Sequence, residues 1–285
     1  MTALTTVAHS RHRRGASRWV VLTLVTLGAL AMLVPFGFML LNAFKSPADY
    51  SQHGSLSWPT HFYTKGLSTY WDQVNFPLKL WNSILISSSV AVLAVLVSLL
   101  NAYAIGIGRV RGRVWIVGVF LLANMLPQES LVYPLYYLAK QAGLYNSKLS
   151  VIIIFTVIQS AFGTYLLASV LGTFPKALLE AAALDGAGKW TILWKVVFPN
   201  IRPTLSVLMI FFFIWTWNEF LIPLVMLIDN NTQTVPVALA ALQGDRLMDA
   251  PTTNAGALIS LLPTVLFFFI FQRTLTRGIT AGAVK

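Results

Sequence analysis

The chain has 285 residues, of which 56% are hydrophobic, 13% aromatic and only 10% charged, and its mean hydropathy is +0.71. A soluble domain carries about 25% charged residues, so the composition excludes a soluble enzyme, a disordered tail and a secreted disulfide scaffold, and the absence of Cys removes thiol chemistry. The net charge of +11 lies mainly between apolar runs, which reads as membrane topology rather than as a nucleic-acid surface.

A helix that crosses a bilayer needs about 20 apolar residues. Six runs qualify: 19–41, 82–105, 114–138, 149–171, 204–228 and 254–272. Residues 1–18 form a basic arm before the first of them. That first run is too long for a cleaved signal peptide and no small-residue cleavage site follows it, so it is expected to be an anchor. The expected fold is an all-α membrane protein with six transmembrane helices over 19–272 and a tail at 273–285. With the N-terminus in the cytoplasm, most Lys and Arg fall inside, notably Arg11, Arg13, Arg14, Arg18, Arg111, Arg113, Lys176, Lys189 and Lys195. The outside keeps Lys45, Lys65, Lys79, Lys140, Lys148 and Arg246, together with Asp49, Asp72, Asp229, Asp245 and Asp249. Both termini are therefore expected in the cytoplasm. The outer loop at 43–80 is rich in Trp, Tyr, Pro and Ser and has room for short surface helices. The basic turn at 105–113 is tight.

The cytoplasmic segment 172–203 is long, amphipathic and patterned. Pro175 suits a first helical turn. Leu178 to Leu184 are strong helix formers, and Gly186 suits a left-handed C-cap. A second helix is expected from about Trp190 to Phe198, with Pro199 and Pro203 marking the return to the membrane. The product is a helix–turn–helix on the cytoplasmic face. Ala181 and Ala182 offer a smooth packing surface, while Glu180 and Asp185 offer charges a partner's Arg can read. On physics alone, this is equally an ordinary amphipathic interfacial loop.

Glu180-Ala181-Ala182, Gly186 three residues on and Val196-Val197-Phe198-Pro199 nine residues further resemble the EAA loop, E-A-A-x3-G-x9-I-x-L-P, of permease subunits in binding-protein-dependent ABC importers. Val196 for Ile and Phe198 for Leu keep apolar residues at the two departures. From about residue 19 to the end, the chain further resembles the shorter permease of maltose-type carbohydrate importers. The matching pieces include Trp58-Pro59-Thr60, Tyr70, Asn82-Ser83, Pro134-Leu135-Tyr136, Gly143-Leu144, Trp217-Asn218-Glu219-Phe220 and the end from Gly278 to Lys285.

The resemblance implies a permease of the prokaryotic cell membrane that imports a carbohydrate or related solute. Its implied partners are a second permease subunit, a cytoplasmic ATPase dimer, an extracytoplasmic solute-binding protein and the lipid membrane, with no nucleic acid. No G-x4-G-K-[ST] run is present, and the resemblance puts ATP and its Mg2+ on the ATPase, with no cofactor and no catalysis on this chain. Glu180, Ala181, Ala182, Leu184, Asp185 and Gly186 are then the ATPase-docking residues, on a helix over 175–186. Gly278, Thr280, Ala281, Gly282 and Lys285 are the tail residues that reach the ATPase.

Glu129 and Glu219 lie within apolar runs, where a charge at the bilayer centre costs roughly 2.5–3.5 kcal/mol and usually faces a cavity or a partner. With Gln159, Trp217 and Asn218 they supply carboxylate, amide and aromatic groups of the kind that hold a sugar. The same residues equally suit packing against the sister permease or an outer gate. Pro127, Pro223 and Pro263 are expected to bend their spans. The four His lie outside the spans without metal-ligand spacing. A membrane enzyme is disfavoured because the expected spans hold no His and no Asp. A self-sufficient secondary transporter using Glu129 and Glu219 remains the alternative, although it leaves the cytoplasmic motif unexplained.

Overall fold

The computed structural model describes residues 14–108, 110–244 and 249–283, with the side chains at 14–17, 243–244 and 274–283 outside that description. The described residues form helices and no strand. In chain order they are α1 (Arg14–Ala43), α2 (Pro47–His53), α3 (Lys65–Gln73), α4 (Phe76–Gly106), α5 (Arg113–Met125), α6 (Val132–Gln141), α7 (Lys148–Gly172), α8 (Lys176–Leu184), α9 (Lys189–Thr191), α10 (Phe198–Asn218), α11 (Leu221–Met226), α12 (Val235–Gly244) and α13 (Ala250–Ala283). A 3₁₀ turn at Gln128–Leu131 precedes α6, and a π-helical segment at Ile192–Val197 joins α9 to α10.

Five stretches are long and apolar enough to cross a membrane: Arg18–Ala43, Phe76–Gly106, Lys148–Gly172, Lys189–Asn218 and Ala250–Arg273. A sixth qualifies only as a bent pair, α5 with the helices of Gln128–Gln141, which meet at 91°. The span expected over 114–138, with a bend at Pro127, is thus two helices that meet sharply. Pro127 explains the break, because a residue before proline is driven out of the α region, and Leu126 is extended at φ −69°, ψ 127°. The expected span over 204–228 differs too. Its helix begins near Lys189, runs through the π segment without stopping and ends at Asn218. Glu219 is extended (φ −71°, ψ 133°) before α11 resumes. Pro223 accounts for that position, since a proline ring clashes with the carbonyl four residues earlier in a continuous helix, which here is Glu219. Pro263, by contrast, sits inside the unbroken α13.

The chain folds as two compact units. The first holds residues up to Leu67 and Asp249–Leu258. Within it, residues 18–41 of α1 bury no side chain fully, and burial starts only at Asn42 and Ala43. A polar knot follows. Lys45 is fully buried and donates to the Gly54 carbonyl at 2.7 Å and to Ser57 Oγ at 3.0 Å. Ser46 caps α2 by accepting from the Asp49 N–H at 3.1 Å, as N-cap serines do. Asp49 accepts the Thr60 N–H at 3.1 Å and pairs with His53 Nδ1 at 2.9 Å. The Thr60 N–H is the main reason the Asp49 carboxyl sits below its ordinary pKa.

The second unit holds Ser68–Met248 and Ile259–Lys285. Its core is α4 packed along α7, with α10 against α4. Ala91, Ala94, Ser98 and Ala102 recur on one face of α4 at helical spacing, and Ser160, Gly163, Thr164 and Ala168 face them from α7. Small residues are what let membrane helices approach closely. A Cβ placed on Gly163 would stand 2.8 Å from Ser98 Cβ and 2.9 Å from Phe212 Cζ, so only glycine fits there. Toward the N-terminal ends of α4 and α7 a second cluster joins Ile86, Val151 and Phe155 to Ala139 of α6 and Ile222 and Met226 of α11. A clasp of polar groups closes that end. Lys79, 1% exposed, donates to the Asn230 carbonyl, and Asn82 donates to the carbonyls of Asn231 (2.8 Å) and Gln233 (3.0 Å). Asn146 accepts the Asp229 N–H at 3.0 Å, and Lys148 donates to Asn82 Oδ1 at 3.0 Å.

Candidate functional site

The patterned segment folds as a lever with an exposed tip. Phe174 returns to the Leu171 carbonyl at 3.2 Å, and Pro175 occupies the N-cap of α8 rather than its first turn. Along α8, Leu179 packs against the main core with Phe174 and Ile192, while no residue of the helix is fully buried. The opposite face is open. Glu180, Ala181, Ala183, Asp185 and Gly186 are exposed, Ala182 is half-buried and Leu184 is 89% exposed.

The end of α8 is built from backbone. Gly186 takes φ +77°, its N–H donates to the Ala183 carbonyl at 3.1 Å, and the Ala187 N–H donates to the Ala182 carbonyl at 2.9 Å. This pair of bonds is the Schellman closure, which requires a left-handed residue and favours glycine. One charge runs against local preference. Asp185 sits at the C-cap, with no basic residue in the last turn, while Glu180 lies at the middle of the nine-residue helix. Acidic groups near a helix C-terminus oppose the macrodipole, by about 0.3–1 kcal/mol each at exposed sites. Neither carboxylate has an ion-pair partner among the described residues.

The segment beyond departs from expectation in one respect. The second helix does not stop at Phe198. It continues through the π segment into α10, so Pro199 and Pro203 lie in the first turns of a span. A π turn skips one residue of the hydrogen-bond ladder, and this one ends at Val197, two residues before Pro199, which has no N–H to give.

The five candidate pathway residues separate into two breaks and a packed interior. Glu129 lies exposed in the 3₁₀ turn at the first break, and Glu219 lies half-buried at the second. Neither sits on a continuous helix, so the charges fall where backbone is already irregular. The two breaks share a design. Asn124 donates to the Phe120 carbonyl at 2.7 Å and Asn218 to the Ile214 carbonyl at 2.8 Å, each in the last turn before an extended residue. The short helices that follow, α6 and α11, pack on each other. Trp217 is 6% exposed and stacks on Phe213, which stacks on Phe267 at 4.4 Å. Gln159 is buried and donates to Thr216 Oγ1 at 2.8 Å, while its Oε1 has no partner among the described residues. Trp217 and Gln159 therefore hold the end of α10 in place, whereas Glu129, Asn218 and Glu219 retain accessible polar groups. The clasp around Lys79 was not among the sequence candidates. Its signals there were Lys79, the fourth residue of a helix that begins at Phe76, and Asn82 of the Asn82-Ser83 pair.

Among the tail candidates, α13 carries the backbone as helix through Ala283. The side chains of Gly278, Thr280, Ala281 and Gly282, and all of Lys285, lie outside the described residues. No group of three or more His, Asp or Glu suited to a metal occurs among the described residues.

These features define a polytopic helical membrane protein with two interrupted apolar stretches and a short, exposed helix. Residues 104–281 match the family described as binding-protein-dependent transport system inner membrane component, and the chain belongs to that family. It is 30% identical over 273 residues to the lactose transport system permease protein LacG of Rhizobium radiobacter, covering 96% of this chain and 98% of that one. It is 27% identical to the melibiose/raffinose/stachyose import permease protein MelC of Bacillus subtilis, over 96% and 99% of the two chains. Its fold superposes with TM-score 0.76 on a chain of a bacterial ABC transporter involved in the import of the acidic polysaccharide alginate, at 21% identity over 92% of this chain and 98% of that one. The chain is thus a multi-pass inner-membrane permease subunit of an ABC importer, and ATP hydrolysis belongs to a separate partner chain. The alternative of a self-sufficient carrier is left without support.

Proposed function

We propose that this subunit carries a neutral oligosaccharide or related solute into the cytoplasm, driven through α8 by an ATPase dimer docked there. The exposed tip of α8 carries the reading. It is a glycine-closed helix whose Asp185 opposes its own dipole and whose acids at 180 and 185 lack partners within the chain's described residues. A cationic docking cleft supplies what the helix itself omits. Relatives named for lactose and for melibiose, raffinose and stachyose support the solute class.

In this reading, α5 and α6 together form one bent span, giving six, with both termini and α8 on the cytoplasmic side. Glu129, Asn218 and Glu219 line the pathway or its gate at the two breaks, where irregular backbone is tolerated only beside protein or a water-filled cavity. The end of α13 extends toward the ATPase, since the 34 residues of the helix span about 50 Å against a hydrocarbon core of about 30 Å. A second permease and a solute-binding protein complete the assembly.

The test is to tag the chain, extract it from its native membrane in mild detergent and identify the copurifying proteins by mass spectrometry. An ATPase and a second permease are expected, and the complex in vesicles should take up radiolabelled lactose or melibiose only with ATP and the binding protein. Recovery of the chain alone after gentle crosslinking would refute the reading.

A further inference from the structure

The docking lever is fastened to the bundle at both ends, but by different means. Its outgoing end is the continuous backbone of α7 through Thr173, with Phe174 and Leu179 packed on the core. Its returning end passes over Gly188 and re-enters helix at Lys189. There the Tyr103 hydroxyl, from the last turn of α4, donates to the Lys189 carbonyl at 2.9 Å. Among the described residues this is the side-chain hydrogen bond that joins the segment 174–191 to another span. It lies 86 residues away in sequence. The Tyr103 ring packs against the main core, as Ile107 and Ile192 do. The bond also sits at the mouth of the π segment Ile192–Val197, a place where the helical ladder is already one residue out of register.

We propose that Tyr103 is a positioning residue for energy coupling: its hydroxyl ties the returning end of the docking lever to α4, so that displacement of α8 moves α4 and not the π segment alone. This rests on the reading of α8 as the ATPase-docking helix. Without the tie, the lever has one firm end and one soft end. A push on α8 can then be absorbed by rewinding the π segment, and ATP is hydrolysed without moving α4. With the tie, the same push reaches α4, which packs along both α7 and α10. The Tyr103 bond is at the surface, and the Lys189 carbonyl also accepts the Ile192 N–H. Removing the hydroxyl therefore leaves no buried group orphaned, and the fold should survive the change.

The experiment is Tyr103→Phe in the complete complex, copurified through a tag on this chain and reconstituted in proteoliposomes with its binding protein. The quantity read is ATP hydrolysed per radiolabelled lactose or melibiose imported, with assembled complex measured in parallel. An exposed neutral hydrogen bond shifts an equilibrium by about two- to fivefold, so that ratio should rise about two- to fivefold while the amount of complex is unchanged. The chain has no Cys, so a Tyr103→Cys, Lys189→Cys pair joined by a short bifunctional maleimide replaces the tie by a covalent one. Crosslinking should return the ratio toward the wild-type value. An unchanged ratio in Tyr103→Phe would overturn the inference. So would a parallel fall of uptake, hydrolysis and complex yield, which marks a purely structural bond, or a ratio that stays raised after crosslinking. If no ATPase copurifies with the wild-type chain, the docking reading itself fails, which is a separate outcome.

Discussion

Gly186 offers the sharpest test of the docking helix, because its substitution is expensive for one physical reason only. Nothing lies within 4 Å of a Cβ built at that position, so a side chain meets no steric wall and disturbs no core. The whole penalty comes from φ +77°, where an L-residue costs roughly 1–2 kcal/mol and a β-branched one more. A turn that escapes this strain gives up the 2.9 Å and 3.1 Å bonds from Ala187 and Gly186, worth about 1 kcal/mol each at the surface. Gly186→Val should therefore deplete the native turn by about 2–3 kcal/mol, which is a factor of roughly 30–150 in its population. Gly186→Asn should lose far less, since asparagine visits the left-handed region readily. The assay is the ATPase-to-permease ratio in the tagged complex, with thermal unfolding of the detergent-solubilised chain alongside. We expect Gly186→Val to lower copurified ATPase at least tenfold with an unchanged unfolding midpoint, and Gly186→Asn to retain most of it. Equal recovery from the Val and Asn variants would show that the left-handed turn does not shape the docking surface.

Other sites give predictions of different kinds. Gly163→Ala should lower the unfolding midpoint measurably, because its Cβ falls 2.8 Å from Ser98 Cβ and 2.9 Å from Phe212 Cζ and overpacking costs about 1–3 kcal/mol. An Ala variant as stable as wild type would mean that α4 and α7 do not approach closely there. Lys79→Met removes a charged donor to the Asn230 carbonyl, and bonds to charged groups are worth about 1.5–3 kcal/mol. Amide exchange at residues 229–233 should accelerate roughly tenfold or more, with α7 unchanged, and no acceleration would discount the clasp. Asp49 has a lowered folded pKa, first through the Thr60 N–H, so its stabilising effect is complete above the ordinary Asp value near 3.9 and disappears as pH falls below it through the folded value. Proteolysis of the loop at 54–62 should therefore stay slow from neutral pH to about pH 4 and rise below it. The Asp49→Asn variant should be cleaved readily at neutral pH, and a loop equally resistant in that variant would refute the role of the carboxylate.

What the sequence showed and what it hid divide along a physical line. Hydropathy is a sum over side chains, so α1 and α7 were legible within a few residues of their ends and α4 from its second turn onward, and the α8 tip was legible because proline, helix formers and glycine punctuate it in order. A break in a helix is a property of the backbone. The windows over 114–138 and 204–228 read as single, bent spans because Leu126 and Glu219 change the chain's direction without changing its mean hydropathy. Pro127 and Pro223 did carry the signal, through two distinct mechanisms: one restricts the residue before it, the other excludes the carbonyl four residues back. Pro263 shows why proline alone does not decide the matter, since α13 accommodates it without stopping. Pairings across the chain, such as Lys79 with Asn230 or Tyr103 with Lys189, have no local signature at all. This changes the meaning of the two carboxylates. Read from sequence, Glu129 and Glu219 are charges inside apolar runs, a costly arrangement that suits a sugar pathway, a gate or packing against a partner and keeps an ion-coupled carrier as the alternative. Placed at breaks, each adjoins backbone that has already left the helical ladder and is followed by a short helix packed against its counterpart. The irregular backbone and the acid then require the same polar surroundings. On that argument, replacing Glu219 with Gln, which keeps the shape and loses the charge, should alter uptake rates more than it alters the fold.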